Sequence, residues 1–285
     1  MAIQILTDSA ADLPQTIVEE YGIDVAPLHI YGDEQEYLDG KDLQSLQMFN
    51  EMRQGKVFKT SQVDPATFLA FFKQYAERGD SCIYVGFSSE LSATYQSAVL
   101  AKNEIQAVYP DFTVETVDTK CASLGQGLAV LKAAQLVREG KSIPEILAGV
   151  EYYASHMEHI FTVEDLEYLY RGGRVSRAAA VVGGILHVKP LLEVNEGKLV
   201  PLEKIRGRNK VIRRMIELMG ERGVELAKQT IAISHGDDLE SATKLQELIK
   251  ETYGCTDFII NTIGCVIGAH VGPGTLALFF LNDKP

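Results

Sequence analysis

Strand-like and helix-like segments alternate along the first half of this 285-residue chain. The short β-branched runs predicted as strands are AIQILTD, IDVAPLHIY, SCIYVGF and FTVETVDT. Helical patterns follow them, notably PATFLAFFKQYAERG and GLAVLKAAQLVREGKS. Repeated strand–helix units connect most readily into parallel strands, so this half predicts a largely parallel sheet with flanking helices. Asp12 is expected to cap the first helix, with Pro14 in its opening turn.

The pattern changes after about residue 155, where further strands read as HIFTVEDLEYL, HVKPLLEVNEGKLVPLEKI, QTIAISHG and TDFIINTIG. The second of these contains a predicted hairpin with Asn195 and Gly197 at its turn. The helices IRRMIELMGERG and DLESATKLQELIKETYG separate the later strands. We therefore predict two α/β domains, residues 1–155 with a largely parallel sheet and residues 156–285 with a mixed sheet.

Charge and composition exclude several classes of protein. The formal charge of −12 argues against general nucleic-acid binding. Eleven Lys and Arg residues between Arg171 and Arg214, against three Glu, form a basic segment that fits an anionic ligand, a partner or a solvated surface. No apolar run reaches membrane-helix length, no signal peptide is apparent, and four cysteines form no C-x-x-C pair. A cytoplasmic location is the expectation.

Glycine-rich segments raise the question of nucleotide binding. The stretch Gly272 to Ala277 fits G-x-G-x-x-A, but the strand-like LALFFL follows it where a dinucleotide fold needs a helix. Gly125 and Gly127 read as a tight helix entry, and no G-x-x-x-x-G-K-[ST] loop occurs. ATP binding by this chain is not expected.

A serine hydrolase is a second possibility, because GFSSELSATYQSA is rich in hydroxyl groups and follows a strand. Ser88 or Ser92 would be the nucleophile, with His270 or His235 as the base, but the second glycine of G-x-S-x-G is missing and no orienting acid is indicated. The same hydroxyls fit a helix start or an anion site. His156 and His159 are spaced for a shared helix face, yet nothing completes a metal site.

Donor groups suited to an anionic head group remain. Hydroxyls occur in KTSQ and GFSSELSATYQ, guanidinium groups in YRGGR and KIRGR, and His270 in GAHVGPG, which is predicted to be a loop. Arginine offers bidentate donors to a carboxylate or phosphate, and serine, threonine and histidine add further donors. Glycine lets the backbone approach a ligand closely.

These segments resemble the DegV family, bacterial fatty-acid-binding proteins that include the FakB subunits of fatty acid kinase. The resemblance spans nearly the whole chain through TDSAADLP, KTSQ, SSELSATYQSA, VDTKCASLGQG, LEYLYRGGRVS, HVKPLLEVNEGKLVPLEKIRGR and GAHVGPGT. One departure is visible: the family commonly has proline directly after TSQ, where this chain has Val63 and Asp64 before Pro65.

The resemblance implies that the two domains enclose one long-chain fatty acid at their interface, without covalent attachment. Its carboxylate would contact Thr60, Ser61, Ser92 and His270, while Arg171, Arg174 and Arg206 would face a phosphate or the kinase. A separate ATP-dependent kinase would phosphorylate the carboxylate, and the carrier would supply acyl-phosphate for phospholipid synthesis. The chain would then need no cofactor or metal and catalyse nothing itself. Transient contact with anionic membrane and a lipid-sensing role are also compatible.

The energetics of a fatty acid favour such a division of labour. Burying the tail gains up to about 0.8 kcal/mol per methylene, but the membrane offers the same gain. Preference for the protein must therefore come largely from charged hydrogen bonds at the head group. Two apolar stretches, RAAAVVGGILHV and LALFFL, are candidates for lining the tail pocket or for ordinary core packing.

Overall fold

The strand and helix patterns fold into three sheets in a computed structural model that describes residues 2–176 and 188–282. Its described strands are β1 (Ile3–Asp8), β2 (Asp24–Ala26), β3 (His29–Gly32), β4 (Gln35–Leu38), β5 (Phe58–Ser61), β6 (Ser81–Gly86), β7 (Val114–Asp118), β8 (Met157–Thr162), β9 (Val188–Asn195), β10 (Lys198–Arg206), β11 (Thr230–His235), β12 (Asp257–Thr262) and β13 (Leu276–Leu281). The described helices are α1 (Gln15–Tyr21), α2 (Ser45–Arg53), α3 (Pro65–Arg78), α4 (Thr94–Val108), α5 (Leu124–Arg138), α6 (Ile143–His156), α7 (Glu167–Arg171), α8 (Arg208–Arg222), α9 (Leu239–Tyr253) and α10 (Cys265–Val271).

The first sheet has four parallel strands in the order β2-β1-β6-β7. Adjacent residues of a strand point to opposite faces, so Ile5 and Leu6 of β1 enter different cores. Ile5 packs with residues of α5 and α6, whereas Leu6 belongs to the core that includes α3 and α4. The predicted parallel sheet with flanking helices is confirmed.

A three-stranded antiparallel sheet, in the order β4-β3-β5, is an addition that the sequence patterns did not predict. The run IDVAPLHIY was expected to form one strand, but Pro27 divides it into β2 and β3. Proline has no N–H for the ladder, so the chain leaves the parallel sheet there and starts a second one.

The second half forms a six-stranded mixed sheet in the order β10-β9-β8-β13-β11-β12, which confirms the predicted sheet type. The hairpin β9–β10 turns at Glu196 and Gly197, beside the predicted Asn195. LALFFL forms β13 in the middle of the sheet, antiparallel to β8 and β11. Ile160, Leu278 and Phe280 pack against α8 and α9 on one face of this sheet.

Two local predictions were wrong. Asp12 does not cap α1: it adopts a left-handed conformation with φ 51°, Pro14 immediately precedes the helix, and the Asp12 carboxylate binds elsewhere. His270 does not lie in a loop but in the last turn of α10, because the seven residues between Gly264 and Gly272 form about two helical turns instead of an open segment. Gly272, at φ 77°, ends the helix in a conformation that favours glycine.

The sheets change between α6, which ends at His156, and β8, which begins at Met157. The division into two domains at this point stays a prediction. Within the described ranges, no helix has the length and apolar character needed to cross a membrane. The tail-pocket candidate RAAAVVGGILHV lies almost wholly outside the described residues, as does Arg177 of the basic segment.

Candidate functional site

An apolar cavity lies between the three-stranded sheet, the segment before α4, helix α10 and one face of the six-stranded sheet. The cavity has a volume of about 180 Å³, counted as the space open to the centre of a water-sized sphere. Its apolar lining comes from both sides of residue 156: Leu28, Phe87, Leu91, Ala93, Ala122, Phe161, Leu169, Val194, Leu199, Ile263, Val266, Ile267, Val271, Ala277 and Phe279. A cavity with such walls and a few polar groups is a typical small-ligand site.

Strand pairing and helix spacing explain two of these walls. Phe161 lies opposite Ala277, and His159 opposite Phe279, so the four side chains share one face of the β8–β13 pair. Helix α10 adds a wall through Val266 and residues four to five positions later, which lie on the same side of a helix. LALFFL was a candidate for lining the tail pocket or for core packing, and its residues alternate between the two. Ala277 and Phe279 line the cavity, whereas Leu278 and its neighbours on the other face enter the core.

One polar end of the cavity is organised around His270. Thr60, on β5, brings its Oγ1 to 2.8 Å from His270 Nε2. The other imidazole nitrogen, Nδ1, is buried without a hydrogen-bond partner among the described residues. A Cβ at position 172 would lie 2.0 Å from that nitrogen, so the first glycine of YRGGR gives the ring its room. His270 therefore has one nitrogen whose hydrogen-bonding capacity no described residue uses.

The surroundings of His270 keep its ring neutral. Burial, together with the positive charge of Arg174, lowers the pKa of His270 to about 4. A neutral imidazole donates through one nitrogen and accepts through the other. The ring can thus exchange a hydrogen bond with Thr60 while remaining uncharged on the cavity wall.

Ser61 and Ser92 line the same cavity. Ser61 Oγ lies 3.3 Å from the hydroxyl of Tyr31. Ser92 Oγ lies 2.9 Å from Thr94 Oγ1 and accepts a hydrogen bond from the Thr94 N–H. The structure therefore brings Thr60, Ser61, Ser92 and His270 to one cavity, as four hydroxyl and imidazole groups that carry no charge.

The three predicted arginines lie in different places. Arg174 lines the cavity, and its Nε and Nη2 donate to the Leu91 carbonyl at 3.1 and 2.8 Å. Arg171 is exposed and faces an adjoining surface pocket that also includes Lys56 and Lys59. Arg206, exposed at the end of β10, lines neither of these described pockets. Arg174 alone of the three places a guanidinium group on the cavity wall.

The geometry does not form a serine–histidine pair. Ser88 Oγ donates to the Gly197 carbonyl at 2.8 Å, and Ser92 bonds to Thr94 rather than to His270. No carboxylate within the described ranges is hydrogen-bonded to His270, so nothing would orient it as a base. Likewise, among residues 2–176 and 188–282 no group of three or more His, Cys, Asp or Glu could hold a metal ion.

Two lining residues escaped sequence reasoning in this role. Ser123, with φ 52°, precedes α5, and its hydroxyl contacts Asp12 and Ser234. His159 was considered only as a metal ligand, yet it faces the cavity from β8. Ser123 contacts Asp12, 111 positions away in the sequence, and His159 contacts Ala122, 37 positions away. A motif search has no local signal for such contacts.

Comparisons with known proteins agree with this architecture. A family model described as an uncharacterised protein family, DegV, matches residues 2–283. A DegV domain-containing protein of Clostridium perfringens is 44% identical over 98% of this chain and 97% of its own. The chain belongs to the DegV family. The resemblance proposed from its motifs is thereby confirmed.

Two solved DegV-like structures extend the comparison. A DegV family protein from Thermus thermophilus, described as binding fatty acid, has a TM-score of 0.91 and 31% identity, covering 99% of this chain and all of its own. A Thermotoga maritima protein reported to reveal a fatty-acid-binding function has a TM-score of 0.88 and 32% identity, and the match covers 99% of this chain and 100% of that protein's chain. The DegV fold therefore extends across the described residues.

Proposed function

We propose that this protein binds one long-chain fatty acid, without a covalent bond, in the cavity that His270 lines. The observation that carries the proposal is the combination of extensive apolar walls with a small neutral polar end that contains an unpartnered imidazole nitrogen. Related DegV structures described as fatty-acid binders support the same ligand class. Thr60, Ser61, Ser92 and His270 would contact the carboxyl group, at the interface of the two predicted domains.

Arg174 supplies the charge that this arrangement needs. A carboxylate without a compensating partner is strongly disfavoured in an apolar cavity. Arg174 lines the cavity with a guanidinium group that is already tied to Leu91. Such a group favours the anionic carboxylate through its charge while the hydroxyls and the imidazole make neutral hydrogen bonds. One carboxyl oxygen can then stay reachable from outside.

We further propose that the bound acid is presented to a separate ATP-dependent fatty acid kinase. The exposed Arg171 lies beside the polar end of the cavity, in a pocket that shares Thr60, Arg174 and His270 with it. Lys59 adds positive charge to that pocket, whereas Lys56 is paired with Asp33 and Glu51. Cations at the rim would attract a phosphorylating partner or the phosphate it transfers. Arg206 would act more remotely, through the encounter with the partner.

Native mass spectrometry of the purified protein tests the ligand proposal. We expect a mass increase equal to one long-chain fatty acid, which denaturation removes. Retention of polar metabolites alone, or no uptake of added palmitate, would contradict it. A stable adduct with a serine-directed phosphonate, together with ester hydrolysis that depends on Ser88 or Ser92, would instead establish the hydrolase.

Kinase coupling is tested separately by adding ATP and a bacterial fatty acid kinase to the loaded protein and measuring acyl-phosphate formation. Arg171→Glu should lower the rate while leaving fatty-acid retention intact, because the side chain lies outside the cavity. Lys73→Glu, on the exposed face of α3 and outside both pockets, is the matched control for an equal change of charge. Equal rates for the parent and Arg171→Glu would exclude the proposed rim contact.

A further inference from the structure

Two buried carboxylates from the first forty residues bind the beginning of helix α10. Asp12 Oδ1 accepts the Gly264 N–H at 2.9 Å, and Asp39 Oδ1 accepts the Cys265 N–H at 3.0 Å. The carbonyl of Asp12 also accepts the Asn261 side-chain amide at 2.7 Å. These bonds join segments that lie more than 220 residues apart. The helix start is therefore held by a distant part of the chain.

The same helix carries part of the ligand site at its other end. His270 stands in its last turn, and Val266, Ile267 and Val271 contribute to the cavity wall. A helix of only seven residues has few internal hydrogen bonds, and its position depends on what holds its ends. A shift at Gly264 would move the ring of His270 relative to Thr60.

We propose that Asp12 and Asp39 are positioning residues of the ligand site, which hold α10 so that His270 and the apolar wall keep the geometry that retains the fatty acid. The inference rests on the proposed fatty-acid binding. Ser123 connects the two roles, because its hydroxyl donates to Asp12 Oδ2 at 2.5 Å while the residue itself lines the cavity. Neither acid touches the ligand space among the described residues.

The carboxylates also make this hold sensitive to pH. Burial, assisted by the neighbouring charges of Asp39 and Asp8 and opposed by the hydrogen bonds from Ser123 and Gly264, raises the pKa of Asp12 to about 8. Burial likewise raises the pKa of Asp39 to about 6. The thiol of Cys265 faces the same acids, and burial raises its pKa to about 12, so it stays neutral below that pH. Above pH 8, Asp12 and Asp39 are both negative and repel each other beside the helix start.

The experiment compares the release of bound cis-parinaric acid from the parent protein and from Asp12→Asn and Asp12→Ala at pH 7 and pH 9. Asparagine keeps an acceptor for Gly264 and cannot ionise, so its release rate should stay constant between the two values. The parent should release the probe up to about tenfold faster at pH 9, one unit above the pKa of Asp12. Asp12→Ala should release it faster at both values. Ratios between proteins at one pH cancel the titration of the fatty acid.

Glu145→Gln is the matched control, because Glu145 caps helix α6 by accepting the Ser142 N–H at 2.9 Å and lies outside the cavity. It should release the probe like the parent. The same pH response in the parent and in Asp12→Asn, or unchanged release from Asp12→Ala, would overturn the inference. Thermal unfolding at both pH values identifies any variant that simply unfolds.

Hydrogen exchange in the unliganded protein separates this inference from the proposed function. Exchange over Cys265–Val271 should be faster in Asp12→Ala than in Asp12→Asn at one pH, and Asp39→Ala should repeat the effect. If the parent binds no fatty acid, the proposed function fails, and this comparison still tests the anchoring of α10. Identical exchange in all variants would show that the acids do not position the helix.

Discussion

Two histidines line the same cavity, one on β8 and one on α10, and their surroundings differ. His159 Nδ1 lies 3.1 Å from the Met157 carbonyl, and its Nε2 accepts the Ala122 N–H at 3.3 Å. Nε2 of His270 is hydrogen-bonded to the hydroxyl of Thr60, and its Nδ1 has no partner among the described residues. Burial lowers the pKa of both rings to about 4.

The difference shows that burial and pKa do not separate a structural histidine from a ligand-binding one. Both rings are neutral near pH 7 and both face apolar walls. The polar atoms of His159 are committed to the backbone, which fixes its tautomer and orientation. For His270, Nε2 meets one rotatable hydroxyl, whereas Nδ1 lies buried against Gly172 with no hydrogen-bond partner among the described residues. The hydrogen-bond partners therefore indicate a structural role for His159 and support the ligand contact proposed for His270.

Replacing His159 should produce the largest loss of stability. His159→Ala leaves a space in the core and an unpaired Ala122 N–H, so we expect the free energy of unfolding to fall by about 2–4 kcal/mol in urea titrations. His156→Ala, three positions earlier and only partly buried, should cost less than about 1 kcal/mol. Equal losses for the two variants would remove the structural role assigned to His159.

Lowering the pH should destabilise the folded protein through protonation of both histidine rings. Each ring has a lower pKa when folded than its ordinary value of 6.5, so the unfolded state binds the proton first. Their contribution is complete above pH 6.5 and is lost as the pH falls toward 4, by about 3 kcal/mol for His159. Urea titrations between pH 7 and pH 4 measure this loss.

A bound carboxylate should change only one of the two titrations. It raises the pKa of His270 by opposing the effect of Arg174, whereas His159 keeps its backbone partners. Imidazole proton shifts, followed by NMR with and without palmitate, should therefore move for His270 alone. Equal movement of both, or of neither, would place the carboxyl group elsewhere.

Loss of the ligand without loss of the fold is expected for His270→Ala. Removing one hydrogen bond to a charged group costs about 1.5–3 kcal/mol, which corresponds to roughly ten- to a hundredfold weaker fatty-acid retention. The unfolding free energy should change by less than for His159→Ala. Competition between palmitate and a fluorescent fatty acid gives the affinity. If His270→Ala retained the fatty acid as tightly as the parent protein, His270 would not contact the carboxyl group.

The smallest expected effect concerns the partner of His270. Thr60→Val keeps the shape but removes the hydroxyl, so retention should weaken about fivefold, in line with one neutral hydrogen bond. Thr60→Ser should restore it. Thr67→Val, on α3 and outside the cavity, provides the control. If valine at position 60 binds as tightly as threonine, the hydroxyl serves only to orient the ring.

The sequence predicts the fold better than it predicts particular side-chain contacts. Alternating strands and helices correctly indicate both large sheets, because period and turn residues act over short distances. The three-stranded sheet is missed because its strands have only four residues each and Pro27 hides a change of sheet. A histidine among glycines was expected in a loop, but burial against β5 and α7 stabilises a short helix there.

The candidate site was predicted through motifs rather than through geometry. The hydroxyls of KTSQ and SSELS and the imidazole of GAHVGPG lie 30 to 210 residues apart, yet they line one cavity. Asp12 shows the limit of such reasoning. Its neighbours in sequence indicate a helix cap, whereas its binding partner at Gly264 follows from the tertiary fold alone.

Strand order has a consequence for how the protein is made. β13 is the last described strand to leave the ribosome, but it lies in the middle of its sheet and joins β8 to β11. Until it emerges, those two strands expose unpaired edges, a state prone to aggregation. The part of the cavity wall formed by Ala277 and Phe279 is therefore added only after β13 has been made, and chaperone protection would be needed most before that point.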